Sequence, residues 1–258
     1  MIICSPCIKS QYTNYSLTNL NKMNKCLPKT SFGETAANVI KKPDNFYIAN
    51  HGKCKSIEIY PIQYIEQYIN PEVIQNAINE NPDISMILDI YGLKPQIYMA
   101  NINSDAKNHL FSTYMCAKDI AKNMSLSSAQ SQNLYKAALL HDIGKALIPE
   151  EIIQKPGKLT PEERKIVNLH ARLGYEILKT TDVPEDVANA VKTHHVPIIR
   201  KQDDLISQIL SVADVYSALR EERAYKPVLS KEKTFEIMSA APELSQPIVN
   251  RLKCIQMA

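Results

Sequence analysis

The chain has 258 residues, enough to bury one good-sized core or two small ones, and a formal net charge of only +3. So small a charge, with no run of like charge to act as a tether, predicts neither a nucleic-acid partner nor an anionic-membrane partner. No apolar run is long enough to span a bilayer, and Met1-Ile2-Ile3-Cys4-Ser5-Pro6-Cys7 lacks the charged start and long apolar middle of a signal peptide, so a cytoplasmic protein is expected. The six cysteines are scattered and read as cytosolic thiols. Cys4 and Cys7 form a lone CxxC with no second pair in register, more ordinary than a zinc or redox site. Trp is absent and Gly is scarce, which suits helices better than a turn-rich sheet.

Residues 1–54 are rich in Asn, Lys, Ser and Thr with little periodicity, and read as a disordered or loosely attached segment. His51, beside Gly52, reads as a surface loop histidine. Residues 55–103 read as a small α+β accessory region. Ile57, Ile59 and Tyr60 suggest a short strand closed by Pro61. Two short helices open at Asn-Pro near Pro71 and Pro82, with Pro at the first helical position. Gly92 ends the second, and Gln96-Ile97-Tyr98-Met99 suggests another strand. No chemistry is evident in this region. Docking, dimerisation into a homodimer, or extension of the core are its expected roles.

The helical part begins near Ser104. Ala106, Leu110, Thr113, Ala117, Ile120, Ala121 and Met124 recur at helical spacing, with His109 beside that face and Asp105 one turn before it. Leu126-Ser127-Ser128 resets the chain, and a second helix runs toward Gly144. His141 falls seven residues after Leu134 and Asp142 four after Ala138, so both polar groups lie on or beside the inward face. A buried carboxylate is costly unless something positive pairs with it. For this dipeptide alone, a metal ion and a salt-bridged Asp beside a core His are equal alternatives. Thr160-Pro161-Glu162-Glu163 opens a third helix with a capping box, and His170 replaces an apolar residue in the stripe Ile166, Leu173, Ile177. Asp182 to Glu185 suggests a second capping box before Val187, Ala190 and Val191, followed by His194 and His195. Asp203-Asp204 starts another helix, with Asp214 four residues after Leu210. Residues 231–258 add a helical tail around Phe235, Ile237, Met238, Ile248, Val249 and Leu252.

Five of the six histidines thus share inward faces with two aspartates: His109, His141, His170, His194 and His195, with Asp142 and Asp214. One core histidine is usually a hydrogen-bonded core histidine. Five, on four predicted helices, are hard to explain by packing. Imidazoles and carboxylates suit divalent metals, and bundles build such sites by projecting ligands inward. Seven ligands exceed the need of one tetrahedral ion and suit two, with Asp142 the natural bridge. A pair of ions acidifies a water between them and braces the entering and leaving oxygens of a phosphoryl displacement. Lys145 is placed to neutralise phosphate charge; its bland reading is a lysine favoured by a helix dipole.

His109…His141-Asp142…Asp214 resembles the HD-domain metal-dependent phosphohydrolase superfamily. The longer pattern resembles its HD-GYP branch, which hydrolyses cyclic di-GMP in bacterial signalling. It comprises His141-Asp142-Ile143-Gly144-Lys145, Ile148-Pro149, Lys155-Pro156-Gly157-Lys158-Leu159-Thr160, Glu163, His170, Gly174, His194-His195 and Ala213-Asp214-Val215-Tyr216. The likeness spans about residues 104–230. It implies a mainly α HD-domain helical bundle and metal ligation by His109, His141, Asp142, His170, His194, His195 and Asp214. Asp105 stands where some members hold a ligand for a third ion, Lys145 matches the catalytic lysine, and Arg223 and Lys226 resemble a basic pair that grips substrate phosphates. The implied cofactors are two divalent ions, of iron, manganese or zinc. The implied activity is hydrolysis of a phosphodiester in a nucleotide signal, with Asp142 and Lys145 as catalytic residues. The chain departs from the branch in two places. After His194-His195 it reads Val196-Pro197-Ile198-Ile199-Arg200-Lys201, without the usual Glu and Gly-Tyr-Pro loop that shapes the guanine dinucleotide pocket, and Ser217 replaces a second Asp. The resemblance therefore bears more directly on phosphoester hydrolysis than on cyclic di-GMP as substrate. A different phosphoester substrate, or a metal-binding scaffold without activity, are the rival readings.

Overall fold

A computed structural model of the chain describes residues 60–221 and 229–257. Cys4, Cys7, His51, Arg223, Lys226 and the strand residues Ile57 and Ile59 lie outside the described residues. Among the described residues every regular element is helical.

Three short helices come first: α1 (Tyr60–Tyr68), α2 (Pro71–Glu80) and α3 (Pro82–Ile90). Tyr60, expected within a strand, and Pro61, expected to close it, instead open α1. The two Asn-Pro starts behave as the sequence predicts. Asn70 accepts the Val73 N–H and Asn81 the Asp83 N–H, each with Pro at the position whose missing N–H costs nothing. At the end of α3, Gly92 adopts φ 67, the left-handed conformation that suits glycine at a helix end. The second expected strand, Gln96–Met99, is not one. A strand needs a ladder partner, and this segment's backbone is used otherwise. Tyr98 N–H donates to the Ala146 carbonyl at 2.7 Å, and Met99–Ile102 winds into a 3₁₀ turn.

The larger helices follow. They are α4 (Ser104–Asn123), α5 (Ser128–Leu140), a 3₁₀ turn at Ile143–Leu147, the single turn α6 (Glu150–Ile153), α7 (Pro161–Leu178), α8 (Glu185–Thr193) and α9 (Leu205–Arg220). Helix α5 is central, touching α4, α8 and α9. Its last turns, Leu134 and Lys136 to Leu140, are buried all round, which is why the sequence there is an almost unbroken apolar run. Thr160 and Glu163 form the expected capping box of α7, each side chain meeting the other's backbone N–H. The box expected from Asp182 to Glu185 does not form. Pro184 takes the cap position without a side-chain bond, and the Asp182 carboxylate accepts the Tyr68 hydroxyl at 2.7 Å. Asp204 caps α9 through the Ser207 N–H.

Helices α2 and α3 pack on α7, while α10 (Lys231–Ser239) and α11 (Gln246–Met257) pack on α9, and α11 also on α4. The elements on either side of the central helices therefore extend one core. No helix among the described residues is long and apolar enough to cross a membrane.

Candidate metal centre

The site lies where the C-terminal ends of α5 and α8 meet the sides of α4, α7 and α9. His109 comes from the second turn of α4. His141 is the C-cap of α5, and Asp142 and Lys145 follow on the 3₁₀ turn. His170 sits in mid-α7, His194 is the C-cap of α8 with His195 next to it, and Asp214 lies in α9. His109, His141, Asp142, His170, His194 and Asp214 are all buried. Six polar side chains in one apolar interior require compensation.

Glycine makes the convergence possible. A Cβ on Gly144 would overlap the His170 carbonyl oxygen and come within 2.6 Å of the Gly174 nitrogen. The turn that carries Asp142 and Lys145 therefore lies directly on the backbone of α7. Asn101 braces the same turn from outside. It is buried, and its amide nitrogen donates to the Lys145 carbonyl at 3.0 Å and the Ile148 carbonyl at 2.7 Å.

The ring nitrogens show what the histidines are for. Nδ1 of His141 lies 2.9 Å from the Ala138 carbonyl, Nδ1 of His170 2.6 Å from that of Val167, and Nδ1 of His194 2.6 Å from that of Val191. A carbonyl can only accept, so each Nδ1 carries the proton and each Nε2 is left with a lone pair facing the pocket. His109 bonds by Nδ1 to Glu221 at 2.6 Å and by Nε2 to Asp214 at 3.1 Å. The Nε2 atoms of His170 and His194 are 3.3 Å apart. Neither ring has a proton to offer the other, so the two lone pairs are free for a shared cation.

Three groups of donor atoms each lie within 4.8 Å of one another: His170 with His194 and His195; His109 with His141 and Asp214; and His141 with Asp142 and His194. Asp142 lies between the first two. Its Oδ1 is 3.5 Å from His170 Nε2, and its Oδ2 is 3.5 Å from His141 Nε2 and 3.8 Å from His109 Nε2. The Lys145 ammonium meets Oδ2 at 2.6 Å. The residues present thus fit divalent cations: imidazole nitrogens, carboxylates and no thiolate.

The electrostatics favour ligation by Asp142, Asp214, His170 and His194; His109 is the exception, because its Nε2 must release a proton before it can bind an ion. Burial would raise Asp142, but Lys145, then His141, His170 and His109, hold it well below the usual carboxylate range. Burial would likewise raise Asp214, and the His109 hydrogen bond and nearby imidazoles outweigh it. Burial, with Lys145 and His195 adding to it against Asp142, pushes His170 down to about 3. Burial and the neighbouring rings lower His194 as well. Burial opposes charge on His109 too, yet its bonds to Asp214 and Glu221 prevail and push it up to about 10.

Of the residues expected from sequence, His109, His141, Asp142, His170, His194, His195 and Asp214 come together, with His195 exposed at the pocket edge and Lys145 beside Asp142. Asp105 does not join them. It is exposed in the first turn of α4, where an acid favours the helix dipole, and it is in none of the three donor groups. Glu221, Asn101 and Lys201 are additions. The Lys201 ammonium is buried against the carbonyls of Thr193 and His194, both at 3.1 Å, and the hydroxyl of Ser211, closing the end of α8 that presents His194 and His195. Only the long-range pairing of these three residues reveals them, and nothing in their local sequence announces it.

A helical bundle that converges histidines and aspartates on one buried pocket defines a class of metal-binding α domain. Residues 107–219 match the family model described as "HD domain". The chain is 26% identical over 194 residues to a cyclic di-GMP phosphodiesterase of Vibrio cholerae, covering 65% of this chain and 38% of that protein. It is 34% identical over 142 residues to a cyclic di-GMP phosphodiesterase of Thermotoga maritima, covering 50% and 39%. It is 32% identical over 128 residues to a 3'3'-cGAMP-specific phosphodiesterase of Vibrio cholerae, covering 46% and 28%. The chain thus spans less than two fifths of the length of each of these curated relatives. The family expected from the sequence motifs is borne out.

Proposed function

We propose that the chain is a metal-dependent phosphohydrolase of the cytosol that cleaves a phosphodiester in a cyclic dinucleotide. The observation that carries the reading is the place of Asp142 among the donors. His170 lies 3.5 Å from one carboxylate oxygen, and His141 and His109 lie 3.5 and 3.8 Å from the other. His194 and His195 group with His170, Asp214 groups with His109 and His141, and His194 also groups with His141 and Asp142. Such a set would hold two divalent ions, of iron, manganese or zinc, with Asp142 among the donors of both. When bound, ions of this kind supply Lewis acidity to a phosphate and acidify water.

The chain's own residues do the remaining work. Lys145 keeps Asp142 ionised and, still about 25% exposed, has its ammonium available for a phosphate oxygen at the pocket. Asp105, Arg223 and Lys226 remain proposed contacts, the first for a further ion and the other two for substrate phosphates. Relatives named for cyclic di-GMP and for 3'3'-cGAMP support the cyclic dinucleotide class. One observation favours a second reading, a different nucleotide or phosphoester. Beyond His195 the chain turns at once into a short 3₁₀ segment, Ile198–Arg200, in place of the longer loop of the resembling branch.

The test is a panel of cyclic di-GMP, 3'3'-cGAMP, linear dinucleotides, nucleoside monophosphates and a chromogenic phosphodiester, with protein loaded separately with iron, manganese and zinc. A cyclic dinucleotide should be opened by the wild type and not by Asp142→Ala. Lys145→Ala should retain its metal and lose about 10²–10³-fold in kcat. Turnover confined to monophosphates would favour the second reading. A wild type that binds two ions and hydrolyses nothing would overturn the enzyme assignment.

A further inference from the structure

We infer that Glu221 is a positioning residue of the metal centre: its carboxylate holds the His109 ring by Nδ1, aims Nε2 into the pocket, and so sets the affinity of the ion that His109, His141 and Asp214 would hold. The inference rests on the metal-dependent reading above. It concerns a residue that the motif pattern leaves unassigned.

Three of the pocket imidazoles are anchored within their own helices, each by a neutral carbonyl three residues earlier. His109 is anchored differently. Its partner is a carboxylate at the end of another helix, 112 residues away in sequence and 2.6 Å away in space. The two side chains are 8% and 18% exposed, so this is no solvent-screened surface pair, which would contribute little. The geometry is a clasp. Asp214 and Glu221 are seven residues apart, two turns along one face of α9 and its C-cap. One carboxylate meets each nitrogen of the same ring, Asp214 at Nε2 and Glu221 at Nδ1. No other acid lies between them in the sequence.

The two carboxylates have different tasks. Asp214 and the His109 Nε2 belong to the same donor group, so both belong to the ion. Glu221 faces the far side of the ring, where it fixes the tautomer and orientation and makes the imidazole more basic, as carboxylates behind metal-bound histidines do. His141, His170 and His194 have only carbonyls in that place. The structure thus assigns stronger electron donation to the His109 group than to the His170 group.

The experiment uses the full chain, stripped of metal and titrated with Co²⁺ against a competing chelator, with the Co²⁺ absorption spectrum recorded at each step. Glu221→Ala should weaken one of two ions by about 10–100-fold and leave the other unchanged. Glu221→Gln, which keeps an acceptor oxygen but no charge, should fall between Ala and wild type and shift the bands of the same ion. His109→Ala should affect that ion too, and His109→Ala/Glu221→Ala should bind no more weakly than His109→Ala alone. Wild-type affinity in both Glu221 variants would overturn the inference, as would full additivity in the double variant or equal weakening of both ions. Because these readouts need no substrate, a wild type that binds both ions but hydrolyses nothing removes the proposed activity and leaves this assignment standing.

Discussion

At the scale of single residues, the protonation of the pocket predicts how the metal-free protein responds to pH. His109 is raised to about 10, so in the folded state it keeps a proton that the unfolded chain releases near pH 6.5. Its contribution is complete below about pH 6.5 and is lost as pH rises through about 10. His170 is held down to about 3, and His194 is also lowered. Below about pH 6.5 the unfolded chain takes up protons that these folded rings refuse, so stability falls on acidification. Asp142 and Asp214, held low, add to that acid loss below about pH 4. Thermal melts in chelator should therefore show a maximum near pH 6.5, and His109→Gln should flatten the alkaline limb. Asn101 predicts a second effect. Asn101→Ala would take the Asn101 donor from the Ile148 carbonyl and one of two donors from the Lys145 carbonyl, which keeps the Ile148 N–H, a loss of about 1–3 kcal/mol measurable by denaturant titration. The histidines and aspartates that meet in the pocket were legible from sequence because each interrupts an apolar face. Asn101, Lys201 and Glu221 were not, because an Asn before a helix, a Lys in a loop and a Glu at a helix end are unremarkable until folding finds their partners.

At the scale of elements, helix starts were readable wherever a local cap decides them, as at Asn70, Asn81, Thr160 and Asp204. They misled where a distant group competed for the cap: Asp182 is taken by Tyr68 from α1. Gln96–Met99 shows the same limit for strands, since apolar residues with β propensity form a strand only if an edge is offered. The 3₁₀ turn at Ile143–Leu147 depends on the absence of a side chain. Gly144→Ala drives a methyl into the α7 backbone at His170 and Gly174, neither of which is the flexible tip of a side chain. We expect at least 1–3 kcal/mol of lost stability together with weakened metal binding, because the displaced turn carries Asp142. Circular dichroism and elemental analysis of the same sample measure the two. Lys201 fixes the end of α8 in a comparable way. Lys201→Met should cost only about 0.5–1.5 kcal/mol in denaturant titration, because the Thr193 carbonyl keeps the Val196 N–H and the His194 carbonyl keeps the Ser211 hydroxyl when the ammonium is lost.

At the scale of the whole molecule, helices before residue 104 and after residue 230 pack on α7, α9 and α4, three of the helices that carry candidate ligands. Ion binding and global stability should therefore be linked. Loading metal at a hundred times its dissociation constant stabilises the folded state by about 2.7 kcal/mol per site, so chelation should lower the melting temperature in a concentration-dependent way. The Nδ1 anchors of His141, His170 and His194 carry one more consequence. Those rings are already turned inward by their own backbones, so loading asks for almost no rearrangement and offers little basis for rejecting one transition ion in favour of its neighbours in the periodic table. Occupancy would then follow the growth medium: protein produced with iron, manganese or zinc in excess should emerge carrying whichever was abundant.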